Sequence, residues 1–279
     1  MPLLLVVSLL WAFSFGLIKG RLAGLDSAFV AAARLGLALL VFLPFFRPRG
    51  LTPRLAGQLA ALGAVQFGLM YLAYNESFRF LAAHEVALYT LTTPLLVTLL
   101  ADVIDGRFRA AALAAAALAV IGAAIVVFTG QIAAPSWRGM ALVQISNAAF
   151  AAGTVAYRRV KAAHPALNDA AVFALPYAGA FALALLAAAK RGALAATPTG
   201  AQWLTLGYLG VVASGLGFFL WNLGAARASA GTVAVMNNVK VPLAIACSLL
   251  FFGESADLPR LAASLAVIIF ATWLTLREK

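Results

Sequence analysis

The chain alternates between long apolar runs and short polar breaks, and the runs take up almost all of its 279 residues. The longest breaks lie near residues 47–55, 129–138, 161–169 and 190–202. A helix of about 20 predominantly apolar residues is long enough to cross the hydrocarbon core of a bilayer. The pattern therefore predicts ten membrane-spanning helices, over residues 3–19, 27–46, 57–75, 84–104, 110–129, 138–157, 169–189, 202–223, 230–252 and 258–276.

Two boundaries in this pattern are less distinct than the others. The third and fourth runs are separated only by the polar stretch NESFRFLAAH, residues 75–84. The first run starts at once, as a signal peptide does, but no clear small-residue cleavage site follows it. We interpret this run as the first helix, retained in the mature protein.

The two halves of the sequence resemble each other. Tyr74 and Trp221 are each followed by Asn, then by a polar break, then by an apolar run that contains a proline, Pro94 or Pro242. Each half holds five predicted spans, and an odd number inverts the second half in the membrane. We therefore predict an all-α integral membrane protein with ten transmembrane helices in two inverted five-helix repeats, which form one transmembrane unit. The predicted repeats are residues 1–130 and 138–279. Inverted repeats are typical of transporters with a substrate site near the bilayer midplane.

Composition agrees with this class and accounts for the positive charge. Hydrophobic residues make up 64% of the chain and charged residues only 10%, whereas soluble domains carry about 25% charged residues. The net charge is +11, and most Lys and Arg lie in the loops on the side of the two termini. Basic loops mark the cytoplasmic side. We predict a multi-pass protein of the inner (plasma) membrane with both termini in the cytoplasm, in contact with lipid and not with nucleic acid.

Few residues offer redox, metal or catalytic chemistry. The single cysteine, Cys247, excludes an internal disulfide. The two histidines, His84 and His164, lie near span ends without a cluster of metal ligands. The spans also lack the paired acids or histidine clusters that an intramembrane enzyme uses. We predict no metal, no cofactor and no enzymatic activity.

Lys240 lies near the middle of the ninth apolar run, where a charge is costly and usually faces a bundle interior or a water-filled cavity. Asn237 precedes it by three residues and shares its helix face, with Asn238 to one side. We predict that these three residues line a cavity and that Lys240 attracts a substrate carboxylate. The alternative is a structural ion pair, and its candidate partners are Glu76, Glu85 and Asp102.

Five further residues are candidates for the substrate site. Trp11, Tyr74 and Tyr89 lie in span interiors or beside polar residues, where aromatic rings can form a binding wall. Thr93 corresponds to Lys240 in the repeat, and Asn147 brings polarity to an Ala-rich span. Each candidate has an alternative role. The aromatic residues could belong to an interfacial belt, the Thr93 hydroxyl could bond the preceding turn, and the Asn147 amide could join two helices. For another intramembrane charge, Arg34, we favour a structural role.

The order of several residues resembles a known family. They are Trp11 in LLWAFSF, Arg34 in AAARLGLALLVFLPF, Pro94, the stretch AARAS at 225–229, and PLAIACSLLFFGE from Pro242. This arrangement resembles the EamA-type exporters of the drug/metabolite transporter superfamily, and it is also similar to YddG-type amino-acid exporters. Asp105-Gly106 departs from the Gly-Glu that such families often carry there. The resemblance implies secondary export of small metabolites, and the sequence indeed lacks a phosphate-binding GxxxxGK[ST] loop.

These observations together predict a secondary transporter that exports amino acids or similar small metabolites. Alternating access would open a central cavity between the repeats to either side of the membrane. Export of a drug, a nucleobase or another metabolite is the main alternative, and a channel-like facilitator or an intramembrane enzyme is a weaker one. A single chain holds a complete repeat pair, and the sequence leaves the oligomeric state open.

Overall fold

The structure, a computed structural model, describes residues 2–22, 24–81, 86, 89–127, 136–251 and 258–276. Side chains within helices are described except at residues 13–16, 18–20, 126–127, 244–251 and 275–276. Throughout these residues the regular secondary structure is helical. The helices are α1 (Pro2–Arg21), α2 (Ser27–Phe42), α3 (Pro53–Ser77), α4 (Thr93–Asp105), α5 (Ala110–Val127), α6 (Trp137–Ala163), α7 (Asp169–Lys190), α8 (Gly200–Ala226), α9 (Ala230–Phe251) and α10 (Leu258–Leu276). Short 3₁₀ turns follow α2 (Leu43–Phe45) and α7 (Ala193–Ala195).

Within the described residues, five of these helices are long and apolar enough to cross a membrane: α2 with its 3₁₀ extension, α3, α6, α7 and α8. Shorter apolar stretches lie in α1 (Pro2–Ala12), α5 (Ala110–Ile125) and α10 (Leu258–Leu274). Each predicted span overlaps one of these ten helices, and the structure is that of a helical membrane protein.

Several helices extend past the predicted spans because polar caps satisfy their first backbone N–H groups. The Ser136 hydroxyl accepts from Gly139 N at the start of α6. Thr199 and Gln202 form a reciprocal capping box at the start of α8. Helices α6 and α8 therefore begin one and two residues before their predicted spans.

The fourth span differs from its prediction as a continuous helix over residues 84–104. Helix α4 begins at Thr93, and a turn at Leu91 and Thr92 separates it from Tyr89 and Thr90. Pro94 occupies the first turn of α4. Pro94 has no backbone N–H to donate to the carbonyl of Thr90, one turn earlier, and its ring crowds that carbonyl, which accounts for the break. Backbone carbonyls at the break remain available to side chains from other helices.

Two helices contain π-helical runs: Ala64–Leu69 in α3 and Tyr208–Leu216 in α8. Such runs widen the turn and are frequent at functional sites. Helix α1 packs against α8 and α9, α4 against α6 and α9, and α2 against α7 and α8, while α7 also packs along α3. Apart from α7, these helices contribute residues to the cavity described next.

Candidate binding cavity

A cavity lies among the inner faces of α1, α2, α3, α4, α6, α8 and α9 and includes about 700 Å³ of atom-free space, its open mouth counted. Six of the eight predicted site residues line this cavity. The described lining residues are Trp11, Arg34, Met70, Tyr71, Tyr74, Thr90, Thr93, Ser146, Asn147, Phe150, Phe218, Asn237 and Lys240.

Lys240 reaches the cavity from the middle of α9. Its Nζ lies 3.4 Å from Asn237 Oδ1, the residue one turn earlier on the same helix face. Nζ also lies 5.3 Å from the centre of the Trp11 ring, within the range of a cation–π interaction. Among the described residues, no carboxylate oxygen lies within 4.0 Å of this ammonium. Lys240 therefore faces the cavity with neutral neighbours.

Two of the three carboxylates considered as structural partners of Lys240 are engaged elsewhere. Glu76 forms ion pairs with Arg79 and Arg191, each at 2.7 Å. Asp102 accepts from Arg109 Nη1 at 2.7 Å and from the Arg109 backbone N–H at 2.9 Å. The third, Glu85, lies outside the described residues.

Arg34 in α2 supplies a second cation to the cavity. Its Nε–H donates to Ser214 Oγ at 3.2 Å, and its Nη2 donates to the Tyr71 hydroxyl. The guanidinium carbon also lies 4.2 Å from the centre of the Tyr71 ring. Arg34 thus has the structural role expected from the sequence and also lines the cavity. Its position inside an apolar span was the signal that could have placed it in the site.

Local backbone geometry brings α8 close enough to hold Arg34. Ser214 belongs to the π-helical run, and its hydroxyl donates to Leu209 O at 2.7 Å, five residues earlier. A Cβ on Gly210 would lie 2.7 Å from Leu37 Cβ and 3.2 Å from Arg34 O. Only glycine permits this approach of α8 to α2, and the approach places the Ser214 hydroxyl beside the guanidinium.

An aromatic row forms one wall of the cavity, and it consists of Trp11, Phe218 and Tyr71. The ring centres of Trp11 and Phe218 are 5.5 Å apart, and those of Phe218 and Tyr71 are 5.6 Å apart. The Trp11 indole N–H donates to Ala213 O at 2.9 Å, which fixes the ring against α8. Lys240 lies over the Trp11 end of the row, and Arg34 lies over the Tyr71 end.

Asn147 and Thr93 line the cavity, and both also take part in hydrogen bonds of the protein. Asn147 Nδ2 donates to Tyr89 O at 2.9 Å and to Thr92 Oγ1 at 3.1 Å. The Thr93 hydroxyl donates to Thr90 O at 2.7 Å, the local bond considered as an alternative role. Both polar groups therefore stabilise the break before α4 while facing the cavity.

The two other predicted site residues, Asn238 and Tyr89, are not among the described residues that line the cavity. Asn238 is fully buried, and its Nδ2 donates to Leu91 O at 3.1 Å, which ties α9 to the turn before α4. Tyr89 contributes its backbone carbonyl, and its half-buried ring packs beside Leu81, Val86 and Val143. A role for either in substrate binding stays a prediction.

Sequence reasoning did not assign seven lining residues to the site. They are Arg34, Met70, Tyr71, Thr90, Ser146, Phe150 and Phe218. Most are residues that also fill ordinary helix interfaces, and their place in the lining depends on how each helix is rotated about its axis. Apart from the charge of Arg34 and the hydroxyl groups of Tyr71, Thr90 and Ser146, the sequence carries no signal for that rotation.

A buried polar network connects α3, α6 and α8 within the same bundle. Gln66 Nε2 donates to Thr154 Oγ1 at 3.1 Å and to Asn222 Oδ1 at 3.2 Å, and Trp221 Nε1 donates to Thr154 Oγ1 at 3.2 Å. Gln66 lies in the π-helical run of α3 and is fully buried. The network fixes the relative positions of three helices that also contribute to the cavity wall.

Known proteins are similar to this chain in sequence or in fold. The model of the EamA-like transporter family matches residues 1–128 and 137–277, so the chain belongs to that family. It is 45% identical over 276 residues to a probable biotin transporter of Pseudomonas aeruginosa, with 98% of this chain and 96% of that protein covered. Biotin transporters of Salmonella typhimurium and Escherichia coli are 41% and 40% identical, each with 98% of this chain and 92% of the relative covered.

A solved crystal structure shares the fold at a TM-score of 0.82, with 19% sequence identity. The superposition covers 98% of this chain and 96% of the other. The predicted membership of the EamA family, within the drug/metabolite transporter superfamily, is confirmed.

Proposed function

We propose that this protein is a secondary transporter, and not an enzyme, that moves biotin or a biotin-like monocarboxylate across a bacterial inner membrane. Three relatives of 40–45% identity, matched along nearly the whole chain, are named biotin transporter or probable biotin transporter. The chain belongs to the same transporter family. The relatives' names support the substrate, and the cavity supplies a chemical reason for it.

Lys240 is the observation that carries this proposal. An ammonium inside a membrane protein is costly unless an anion or strong acceptors compensate it. The neighbours described above are an amide oxygen at 3.4 Å and the face of an indole ring. A substrate carboxylate would add the missing anion, so Lys240 favours binding of an acid.

An amino acid, the substrate class that the sequence predicts, fits this cavity less well. Its carboxylate would suit Lys240, but its ammonium group would also need an acceptor. The described lining includes no Asp or Glu and already holds the two cations Lys240 and Arg34. Biotin has a carboxylate and no ammonium, so it avoids the repulsion that a second positive charge would meet.

Two inverted halves and alternating access remain part of the proposal. The family model matches two successive stretches, residues 1–128 and 137–277, which nearly coincide with the predicted repeats 1–130 and 138–279. Corresponding helix pairs are in contact: α1 with α9 and α6 with α4, α2 with α8 and α7 with α3. The π-helical runs of α3 and α8 also lie at corresponding places. This pattern supports a pseudo-two-fold arrangement in which the halves exchange conformations.

Direction and topology are proposed from the loop charges and from the family resemblance. We retain export and two cytoplasmic termini as predictions. A green fluorescent protein fused after Lys279 should fluoresce, whereas alkaline phosphatase fused there should be inactive in intact cells. Active alkaline phosphatase at this position would refute the proposed topology.

The function is tested with purified protein in proteoliposomes and radiolabelled biotin. We expect saturable uptake and counterflow, in which internal unlabelled biotin accelerates entry of the label. Saturable uptake of amino acids without uptake of biotin would refute the proposed substrate and favour amino-acid transport, which the sequence predicts. Uptake without saturation or counterflow would indicate a channel and overturn the transporter mechanism.

Lys240→Met, with Lys190→Met as its control, tests the proposed charge pair. Lys190 is exposed at the end of α7, so its replacement removes one positive charge from the chain without affecting the cavity. Loss of one partner of a buried charge pair costs about 2–5 kcal/mol. We therefore expect the biotin concentration for half-maximal transport to rise at least about tenfold in Lys240→Met and to stay unchanged in Lys190→Met. Wild-type kinetics in Lys240→Met would refute the role of Lys240.

A further inference from the structure

We infer that the cavity binds its substrate lengthwise along the aromatic row, with Lys240 at the carboxylate and Arg34 donating to a neutral carbonyl oxygen at the opposite end. This inference rests on the proposed function and extends it to the shape and polarity of the ligand. The ligand class is an elongated monoanion with an apolar middle and a neutral acceptor at its far end.

The arrangement of the row provides the geometric argument. Its three rings follow one another at centre-to-centre distances of 5.5 and 5.6 Å. Lys240 Nζ lies 5.3 Å from the centre of the first ring, and the Arg34 guanidinium carbon lies 4.2 Å from the centre of the last. Because Phe218 lies between the other two rings, the two cations are separated by apolar surface. A ligand that reaches both needs a polar group at each end.

The protein satisfies the hydrogen-bond donors of the two cations to different degrees. This difference indicates which cation binds the ligand's carboxylate and which binds its neutral acceptor. An ammonium has three donors, and among the described residues Lys240 makes one long bond, to the neutral amide of Asn237. The Arg34 guanidinium already donates to two hydroxyl groups and stacks on Tyr71. The ligand's charge therefore gains more at Lys240. The remaining guanidinium donors of Arg34 suit a neutral acceptor.

Biotin has this distribution of groups. Its carboxylate ends an aliphatic chain, and a ureido carbonyl lies at the far side of its ring system. The aliphatic chain and the thioether ring would contact the aromatic row, where apolar and sulfur–aromatic contacts are favourable. This orientation predicts that each end of the molecule is recognised by a different residue.

The test measures equilibrium binding of three ligands to purified full-length protein. Biotin carries both groups, biotinamide replaces the carboxylate by a neutral amide, and 2-iminobiotin replaces the ureido oxygen by a nitrogen that is protonated at neutral pH. We expect the wild-type protein to bind each analogue at least about tenfold more weakly than biotin, as for loss of a charged or hydrogen-bonded contact.

Two variants assign the ends. In Lys240→Met, the preference for biotin over biotinamide should fall to less than about threefold, while the preference over 2-iminobiotin is retained. In Arg34→Met, the preference for biotin over 2-iminobiotin should fall to less than about threefold, while the preference over biotinamide is retained. Tyr71 Oη and Ser214 Oγ are 2.9 Å apart, so they stay paired with each other when the guanidinium is removed. That pairing makes Arg34→Met a tolerable change in the buried site.

Tyr71→Phe provides a second route if Arg34→Met is not recovered as folded protein. It removes one hydroxyl that positions Arg34 and should weaken discrimination against 2-iminobiotin while leaving the biotinamide ratio unchanged. The opposite assignment, with Arg34→Met abolishing the biotinamide preference, would overturn the inference. Unchanged ratios in both Arg34→Met and Tyr71→Phe would overturn it as well. Wild-type protein that binds none of the three ligands would instead refute the proposed function.

Discussion

Gly63→Ala should destabilise the protein through a close crossing of α3 and α7. A Cβ on Gly63 would overlap the backbone of Pro176 in α7, and a Cβ on Gly179 in α7 would overlap the backbone of Ala60 in α3. The two glycines thus serve the same crossing from opposite sides. The obstructing atoms belong to helix backbones, which cannot move aside as a flexible side chain can.

The expected cost follows from these contacts. An extra carbon in a well-packed interior usually costs about 1–3 kcal/mol, and a backbone obstacle places Gly63→Ala towards the upper end. Ala is favoured over Gly within a helix by about 0.5–1 kcal/mol, which offsets part of that cost. Each kcal/mol lowers the thermal midpoint of a 150–250-residue domain by about 2–4 °C. We therefore expect a fall of several degrees.

Gly57→Ala is the matched control in the same helix. A Cβ there meets no atom within 4 Å, so only the helix-propensity gain applies, and the midpoint should stay or rise slightly. Thermal unfolding of the purified proteins in detergent, followed by size-exclusion recovery after heating, measures both. Equal midpoints for the two variants would refute the idea that this crossing needs glycine.

Two further substitutions test the polar contacts of the fold. Thr154→Val should cost about 1–3 kcal/mol because it leaves two buried N–H donors without an acceptor, whereas Thr98→Val loses only a bond within its own helix and should be nearly neutral. Asp102→Asn should cost about 1.5–3 kcal/mol through its weakened bonds to Arg109, whereas Asp105→Asn, at a half-exposed site, should cost about 1 kcal/mol or less. Thermal midpoints in detergent check both pairs, and equal effects within a pair would contradict the assigned contacts.

The helices could be located from the sequence because hydropathy and capping are local properties. Apolar runs of sufficient length mark the helices, and Ser136 and Thr199 cap the ones that follow. The break before α4 was missed although its cause, Pro94, is visible in the sequence. The competing signal was the continuous apolar run, which does not distinguish an intact helix from one whose first turns separate at a proline.

Only some of the cavity-lining residues could be predicted from the sequence, and these were mainly the polar ones. Lys240 and Asn237 share a helix face by their spacing, and a charge inside an apolar span points inward in nearly every membrane protein. Phe218 and Phe150 could not be assigned in the same way. In a helix that is apolar on every side, lipid and protein interior are equally suitable for a phenylalanine, so hydropathy does not show which face is buried.

The sequence by itself therefore determined a helical membrane protein of the EamA type with a cation in its interior. Tertiary structure decided that Arg34, remote from Lys240 in the chain, lines the same cavity and is held by Tyr71 and Ser214. That contact depends on the rotation and close approach of three helices, including the π-helical run that carries Ser214. Contacts between distant helices depend on packing across the bundle, whereas hydropathy and caps act within a few residues of the chain.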